Sequence, residues 1–168
     1  MTERIDYTKA APSALKAMLG LQAVVDHSGL EHSLIELLKL RASQINGCAY
    51  CIDMHFKDAK AMGESDERLY LLDAWREAPF YSERERAALL WCETLTLVAE
   101  RGAPDEVYEE VRKQFNDAEL TNLTLAIVAI NGWNRFGIGF RSEPGNYDPA
   151  SNPKVAKVLR KSAVGAAV

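Results

Sequence analysis

Glu36, Cys48, Cys51 and His55 fall within a window of twenty residues, and no other stretch of the 168-residue chain gathers as much reactive chemistry. The window reads Glu36-Leu-Leu-Lys-Leu-Arg-Ala-Ser-Gln-Ile-Asn-Gly-Cys48-Ala-Tyr-Cys51-Ile-Asp-Met-His55. On a helix that begins near Cys48, positions 48, 51 and 55 are i, i+3 and i+7 and share one face. Cys51 and His55 are then an i, i+4 pair, close enough for the imidazole to take or share the thiol proton. A thiol at a helix N-terminus beside such a base has its pKa lowered from ~8.5 into the ~3.5–7.5 range, and only the thiolate is nucleophilic. The C-x-x-C spacing also permits a short-loop disulfide. Together these residues make a dithiol poised to be oxidised and re-reduced.

Other chemistries for the same residues differ in what they require. A haem-attachment motif needs histidine directly after the second cysteine, where this chain has Ile52. A thioredoxin-type site needs a βαβ setting. Zinc would take Cys48, Cys51, His55 and Glu36 as four ligands, although structural zinc prefers a second Cys/His pair and Cys92 stands alone. The plainest alternative is two buried cysteines and a solvated histidine, since free cysteine is a common core residue. Cys92, beside Trp91 on an amphipathic stretch, reads as a core thiol. His27 and His32 read as solvent-facing, and Met54, Phe56 and Met62 as packing.

The elements that would position the window are helical throughout. Pro12 suits the first turn of a helix to about His27, with Leu15, Met18, Leu19, Leu21 and Val25 as its apolar stripe. Glu31 to Ile45 carries Leu34, Leu37, Leu38, Ala42 and Ile45 on one face and stops at Asn46-Gly47, a pair suited to a left-handed C-cap. That stop puts Cys48 at the start of the next helix, Ala49 to Met62. Ser65 caps a helix through Trp75, and Ser82-Glu-Arg-Glu85 is a capping box for one through Ala99 with Ala87, Leu90, Trp91 and Val98 inward. Asp105 to Phe115 follows Pro104. Asp117 then caps a helix from Ala118 to about Trp133, apolar almost all round and therefore central or shared with another subunit. No run alternates with period 2, so the class is all-α, with about six to eight helices packed in one domain over 1–168. Its core spans about 12–136, and 137–168 reads as an irregular C-terminal arm with a short helix near Pro153 to Lys161.

Composition narrows the partners and the compartment. Twenty basic residues against 24 acidic ones give a net charge of −4 with no one-signed window, which offers nothing to nucleic acid or anionic lipid. The charged first residues and the lack of any long apolar run point to a cytoplasmic protein with no membrane partner.

The spacing from Glu36 through Cys48 and Cys51 to His55 resembles the E-x11-C-x-x-C-x3-H pattern of alkylhydroperoxidase D (AhpD)-like proteins in the carboxymuconolactone decarboxylase superfamily. Asn131-Gly-Trp-Asn134-Arg135 is similar to that family's downstream motif. The resemblance implies an all-helical homo-oligomer, trimeric or hexameric, that reduces hydroperoxides through its cysteine pair with no cofactor beyond an external thiol reductant, protein or small thiol. By position it implies Cys51 as the peroxide-attacking cysteine, Cys48 as the resolving one, and Glu36 and His55 as proton-relay groups. Physical chemistry by itself leaves the two thiols even, because Cys48 lies nearer the helix N-terminus and Cys51 nearer the histidine. One departure is Tyr50, where the best-studied relatives have histidine before the second cysteine; a proton shuttle there would run through the phenol or water. A non-enzymatic redox sensor or stress-related binding protein is the alternative that the same residues allow.

Overall fold

The structure, a computed structural model, describes the backbone of residues 2–165 and the side chains of residues 2–160. Its described residues form ten α-helices and two 3-10 turns with no strand: α1 (Tyr7–Ala10), α2 (Pro12–Asp26), α3 (His32–Asn46), α4 (Ala49–Ala61), α5 (Asp66–Tyr70), a 3-10 turn (Leu72–Ala74), α6 (Glu83–Thr96), α7 (Val98–Arg101), α8 (Asp105–Val111), α9 (Asp117–Phe140), a second 3-10 turn (Pro149–Ser151) and α10 (Pro153–Gly165). No helix among the described residues is long and apolar enough to cross a membrane.

Helix α3 is the axis of the molecule and packs against α4, α6 and α9. It is buried without a break from Leu34 to Leu40, so its sides belong to two apolar clusters. Leu34 and Leu38 meet Leu123, Ile127 and Ile130 of α9, whereas Leu37 and Leu40 meet Leu69, Leu72 and Trp75. Each such side chain contributes about 1.5–3 kcal/mol by leaving water. Helix α9 is apolar on most sides because it is central, although Val128 faces outward.

Several boundaries differ from those read in the sequence, each for a local reason. Helix α1 escapes periodicity because it has four residues; Asp6 caps it by accepting from the Thr8 N–H, and the Tyr7 ring packs on Phe136 and Phe140. The helix expected to reach Trp75 breaks after Tyr70 into a 3-10 turn. The one expected to reach Ala99 breaks at Leu97, after Thr94 has turned its hydroxyl back onto the Leu90 carbonyl, and Val98 is half exposed and not inward. Helix α8 stops at Val111, four residues short of Phe115, which is nonetheless core. The cap of α9 is Asn116, in a capping box with Glu119, and Asp117 is the first helical residue. That helix runs on to Phe140, because Gly137 and Gly139 are tolerated inside it. The part of the expected arm that is described, 137–165, is therefore less irregular than expected, α10 carrying the helix anticipated near Pro153 on to Gly165; 166–168 lie outside the described residues.

Candidate active site

The end of α3 sets the position of the first cysteine. Gly47 lies in the left-handed region (φ 71°), its N–H reaches the Gln44 carbonyl at 3.2 Å, and the Cys48 N–H reaches Ser43 at 3.0 Å. This pair of bonds closes one helix and turns the chain at once into the next. Cys48 becomes the N-cap of α4, with extended backbone and its sulfur accepting from the Cys51 N–H at 3.4 Å. Cys48 and Cys51 are joined as a disulfide across one turn, with Cα atoms 5.3 Å apart. Both are buried.

A row of amides fixes that junction to α9. Asn46 donates to the side-chain oxygens of Asn131 (3.0 Å) and Asn134 (2.9 Å), and Asn134, fully buried, donates to Ser43 at 3.0 Å. Within the Asn131–Arg135 motif, Asn131 and Asn134 sit mid-helix and clamp the α3 terminus. Arg135 turns back onto the Asn131 carbonyl at 2.7 Å. One turn further on, Gly137 leaves room for the disulfide, since a Cβ there would lie 2.9 Å from the Cys48 sulfur and 3.3 Å from that of Cys51.

Glu36, central in α3, meets His55 of α4, where Glu36 Oε2 and His55 Nδ1 are 2.8 Å apart. Lys39, one turn along α3, donates to the other oxygen at 3.0 Å. Burial by itself would raise the Glu36 pKa; the Lys39 ammonium and His55 outweigh it and hold the carboxyl at about 2. An ionised carboxylate only accepts, so Nδ1 carries the hydrogen and Nε2 is the nitrogen left for chemistry. Asp58 lies in the same buried group. It accepts from the Tyr147 hydroxyl (2.9 Å) and from Asn152 (2.7 Å), and burial shifts its pKa upward.

A cavity of ≈ 310 Å³ opens onto this group, with Cys51 and His55 in its wall together with Tyr50, Met54, Trp133 and Tyr147. Met54, read as packing, therefore lines the cavity too. Burial first, then the charges of Asp53 and Asp58, raise the Tyr50 pKa, so this phenol is held protonated, a donor and not a base. The four residues singled out by spacing are brought together: Cys51, His55 and Glu36 line the cavity, and Cys48 is joined to Cys51. Lys39, Asp58, Tyr147 and Asn152 are additional members of the group. Among the described residues, the cluster that offers ligand atoms within 4.8 Å is Glu36, His55 and Asp58, without a cysteine, and its carboxylate oxygens already accept from Lys39, Tyr147 and Asn152. This differs from the zinc set of Cys48, Cys51, His55 and Glu36. Cys92 is core, fully buried with its pKa pushed up to about 12 by that burial, and His27 and His32 are exposed.

The profile of the Carboxymuconolactone decarboxylase family matches residues 12–94. Uncharacterized protein YdfG of Bacillus subtilis is 43% identical over 138 residues, 82% of this chain and 94% of its own. A crystal structure of ATU0492 from Agrobacterium tumefaciens, a protein of unknown function proposed as the antioxidant defence protein AhpD, superposes with a TM-score of 0.84 at 49% identity, covering 87% of this chain and all of that one. The debrominase Bmp8 shares the fold alone, with a TM-score of 0.74 at 17% identity over 92% of this chain and 79% of its own. The chain is an AhpD-like member of the carboxymuconolactone decarboxylase family.

Proposed function

We propose that the protein is a thiol-dependent peroxidase that reduces hydroperoxides through the Cys48–Cys51 pair. The observation that carries this reading is the meeting, in one cavity wall, of Cys51 with a histidine whose Nδ1 is fixed by an ionised, buried glutamate. Fixing one imidazole nitrogen orients the other, the arrangement by which a third group positions a general base beside a nucleophile. The Cys51 thiolate attacks the distal peroxide oxygen, the O–O bond breaks, and the alcohol leaves with a proton relayed by His55. Cys51 is left as a sulfenic acid. The Cys48 thiol condenses with it, water leaves, and the disulfide forms. Two electrons from an external thiol reductant return the pair to thiols, with no further cofactor. The proposal extends to a cytoplasmic homo-oligomer, trimer or hexamer, whose size light scattering reads directly.

The test is a thiol count on the fully reduced protein before and after one equivalent of an organic hydroperoxide. Two of the three thiols disappear and Cys92 survives; continued peroxide consumption with a dithiol present then separates an enzyme from a sensor oxidised once. Unchanged thiols would sink the reading.

A further inference from the structure

The two sulfurs of the disulfide line different cavities. Cys51 is in the wall of the ≈ 310 Å³ cavity that holds His55, whereas Cys48 is in the wall of a second, of ≈ 370 Å³, lined by Gly47, Ala49, Ile138, Arg141 and Glu143 among others. Only Tyr50 and Gly137 line both, so these two residues and the disulfide itself form the partition. Because both cysteines are buried, a reductant must fit inside a cavity to touch either sulfur. That requirement favours a small thiol over the flat face of a folded protein.

Charge separates the two approaches. Thiol–disulfide exchange is carried by a thiolate, and in the first cavity both lysines are already committed, Lys39 to Glu36 and Lys154 to Asp26. In the second, neither Arg141 nor Glu143 makes a side-chain hydrogen bond or ion pair with any described residue. Arg141 is also the one non-glycine among the described residues with positive φ (59°), standing where α9 ends and glycine is the usual occupant. An arginine in the left-handed region is a strained occupant, and such strain clusters at functional sites.

We propose that a small amino-acid-type thiol reduces the disulfide from the Cys48 side, its carboxylate held by Arg141 and its ammonium by Glu143. The incoming thiolate attacks the Cys48 sulfur, the Cys48–Cys51 bond breaks, and Cys51 leaves as a thiolate on the His55 side. A second thiolate attacks the outer sulfur of the mixed disulfide and releases the reductant as its own disulfide. Two thiols supply two electrons and, through solvent, the two protons that the cysteines regain. Oxidant and reductant thus meet different sulfurs through different cavities. This inference rests on the Cys48–Cys51 redox pair and not on the identity of the oxidant.

The test uses full-length protein oxidised with diamide, so that a failure of peroxide reduction leaves it intact. Reduction rates, normalised to thiolate concentration, are measured for cysteine, cysteine methyl ester and N-acetylcysteine, and the first mixed disulfide is trapped with N-ethylmaleimide and located by mass spectrometry. We expect the adduct on Cys48, and cysteine to act at least about tenfold faster than its ester. Arg141→Gly should erase the difference between cysteine and the ester while leaving the unfolding midpoint unchanged or higher, because glycine relieves the backbone. Glu143→Gln should erase the difference between cysteine and N-acetylcysteine. An adduct on Cys51, or equal rates for cysteine and its ester in the unaltered protein, would overturn the proposal.

Discussion

Two carboxylates, Glu36 on α3 and Asp58 on α4, are buried in the same group around His55, yet their acidities move in opposite directions. Burial pushes both up. Glu36 is brought down to about 2 because a lysine one turn away and the imidazole both touch it, whereas Asp58 meets only the neutral donors Tyr147 and Asn152 and stays above its ordinary range. Neutral hydrogen bonds satisfy a buried carboxylate; a paired cation decides its charge. The difference divides the labour of the site: Glu36 is a fixed anion that orients His55, and Asp58 is the anchor to which the segment after α9 is tied.

The sharpest way to break this comparison is Glu36→Gln. It strands the Lys39 ammonium in the interior and should cost about 3–5 kcal/mol in urea unfolding, the cost of breaking a buried pair from one side. Peroxide turnover should fall by about 10²–10⁴, the range expected when general acid–base assistance is lost. The double variant Glu36→Gln with Lys39→Met removes both charges and should recover most of the stability but none of the turnover. A double variant as unstable as the single one would mean that Lys39 is not the partner that holds Glu36 ionised.

Asp58→Asn makes the opposite case. Because the side chain keeps its shape, and the charge it loses has no cationic partner, the change in stability at neutral pH should stay within about 1 kcal/mol. The pH dependences differ in sign. Glu36 titrates lower folded than unfolded, so its contribution is complete above 4.5 and is lost as pH falls toward about 2. Asp58 titrates higher folded than unfolded, so its contribution is complete below 3.8 and is lost as pH rises through its folded pKa. Plotted against pH, the stability gap between the unaltered protein and Glu36→Gln should therefore widen upward from about pH 2, while the gap to Asp58→Asn narrows as pH rises past 3.8. Parallel slopes would refute the assignment of opposite shifts.

The legibility of this site followed sequence distance. Glu36, Cys48, Cys51 and His55 were readable because the helix stop at Asn46-Gly47 sets the register of the two helices, and residue type with spacing then defines the chemistry. Lys39 and Asp58 lie on the same two helices, at i+3 from Glu36 and His55, but a lone charge on a helix ordinarily marks a solvated face. The available signal was Leu34-Ile-Glu36-Leu-Leu-Lys39-Leu40, where a carboxylate and an ammonium at i, i+3 interrupt an otherwise apolar run. Tyr147 and Asn152 had no such signal, since they reach Asp58 across 89 and 94 residues from a stretch that looks like a loop. Gly137 likewise read as a breaker, and its use as a notch beside the disulfide depends on how α9 crosses α4.

The smallest predicted effect tests the anchor itself. The segment after α9 is held to α4 by Tyr147 and Asn152 on Asp58, by Lys57 Nζ on the carbonyls of Gly145 and Tyr147 (both 3.1 Å), and by the Gly145 N–H on Asp53 at 3.0 Å. Tyr147→Phe removes one of these contacts, and the expected cost is about 1 kcal/mol. Because Asn152 and Lys57 hold the same segment, the loss should appear as faster amide exchange confined to the residues around 145–152, with turnover little changed. Asp58 would also lose a donor that favours its ionised form, so its pKa should rise further in this variant. A fall in turnover as large as that of Glu36→Gln would mean that the Tyr147 hydroxyl belongs to the proton path and not to the strap.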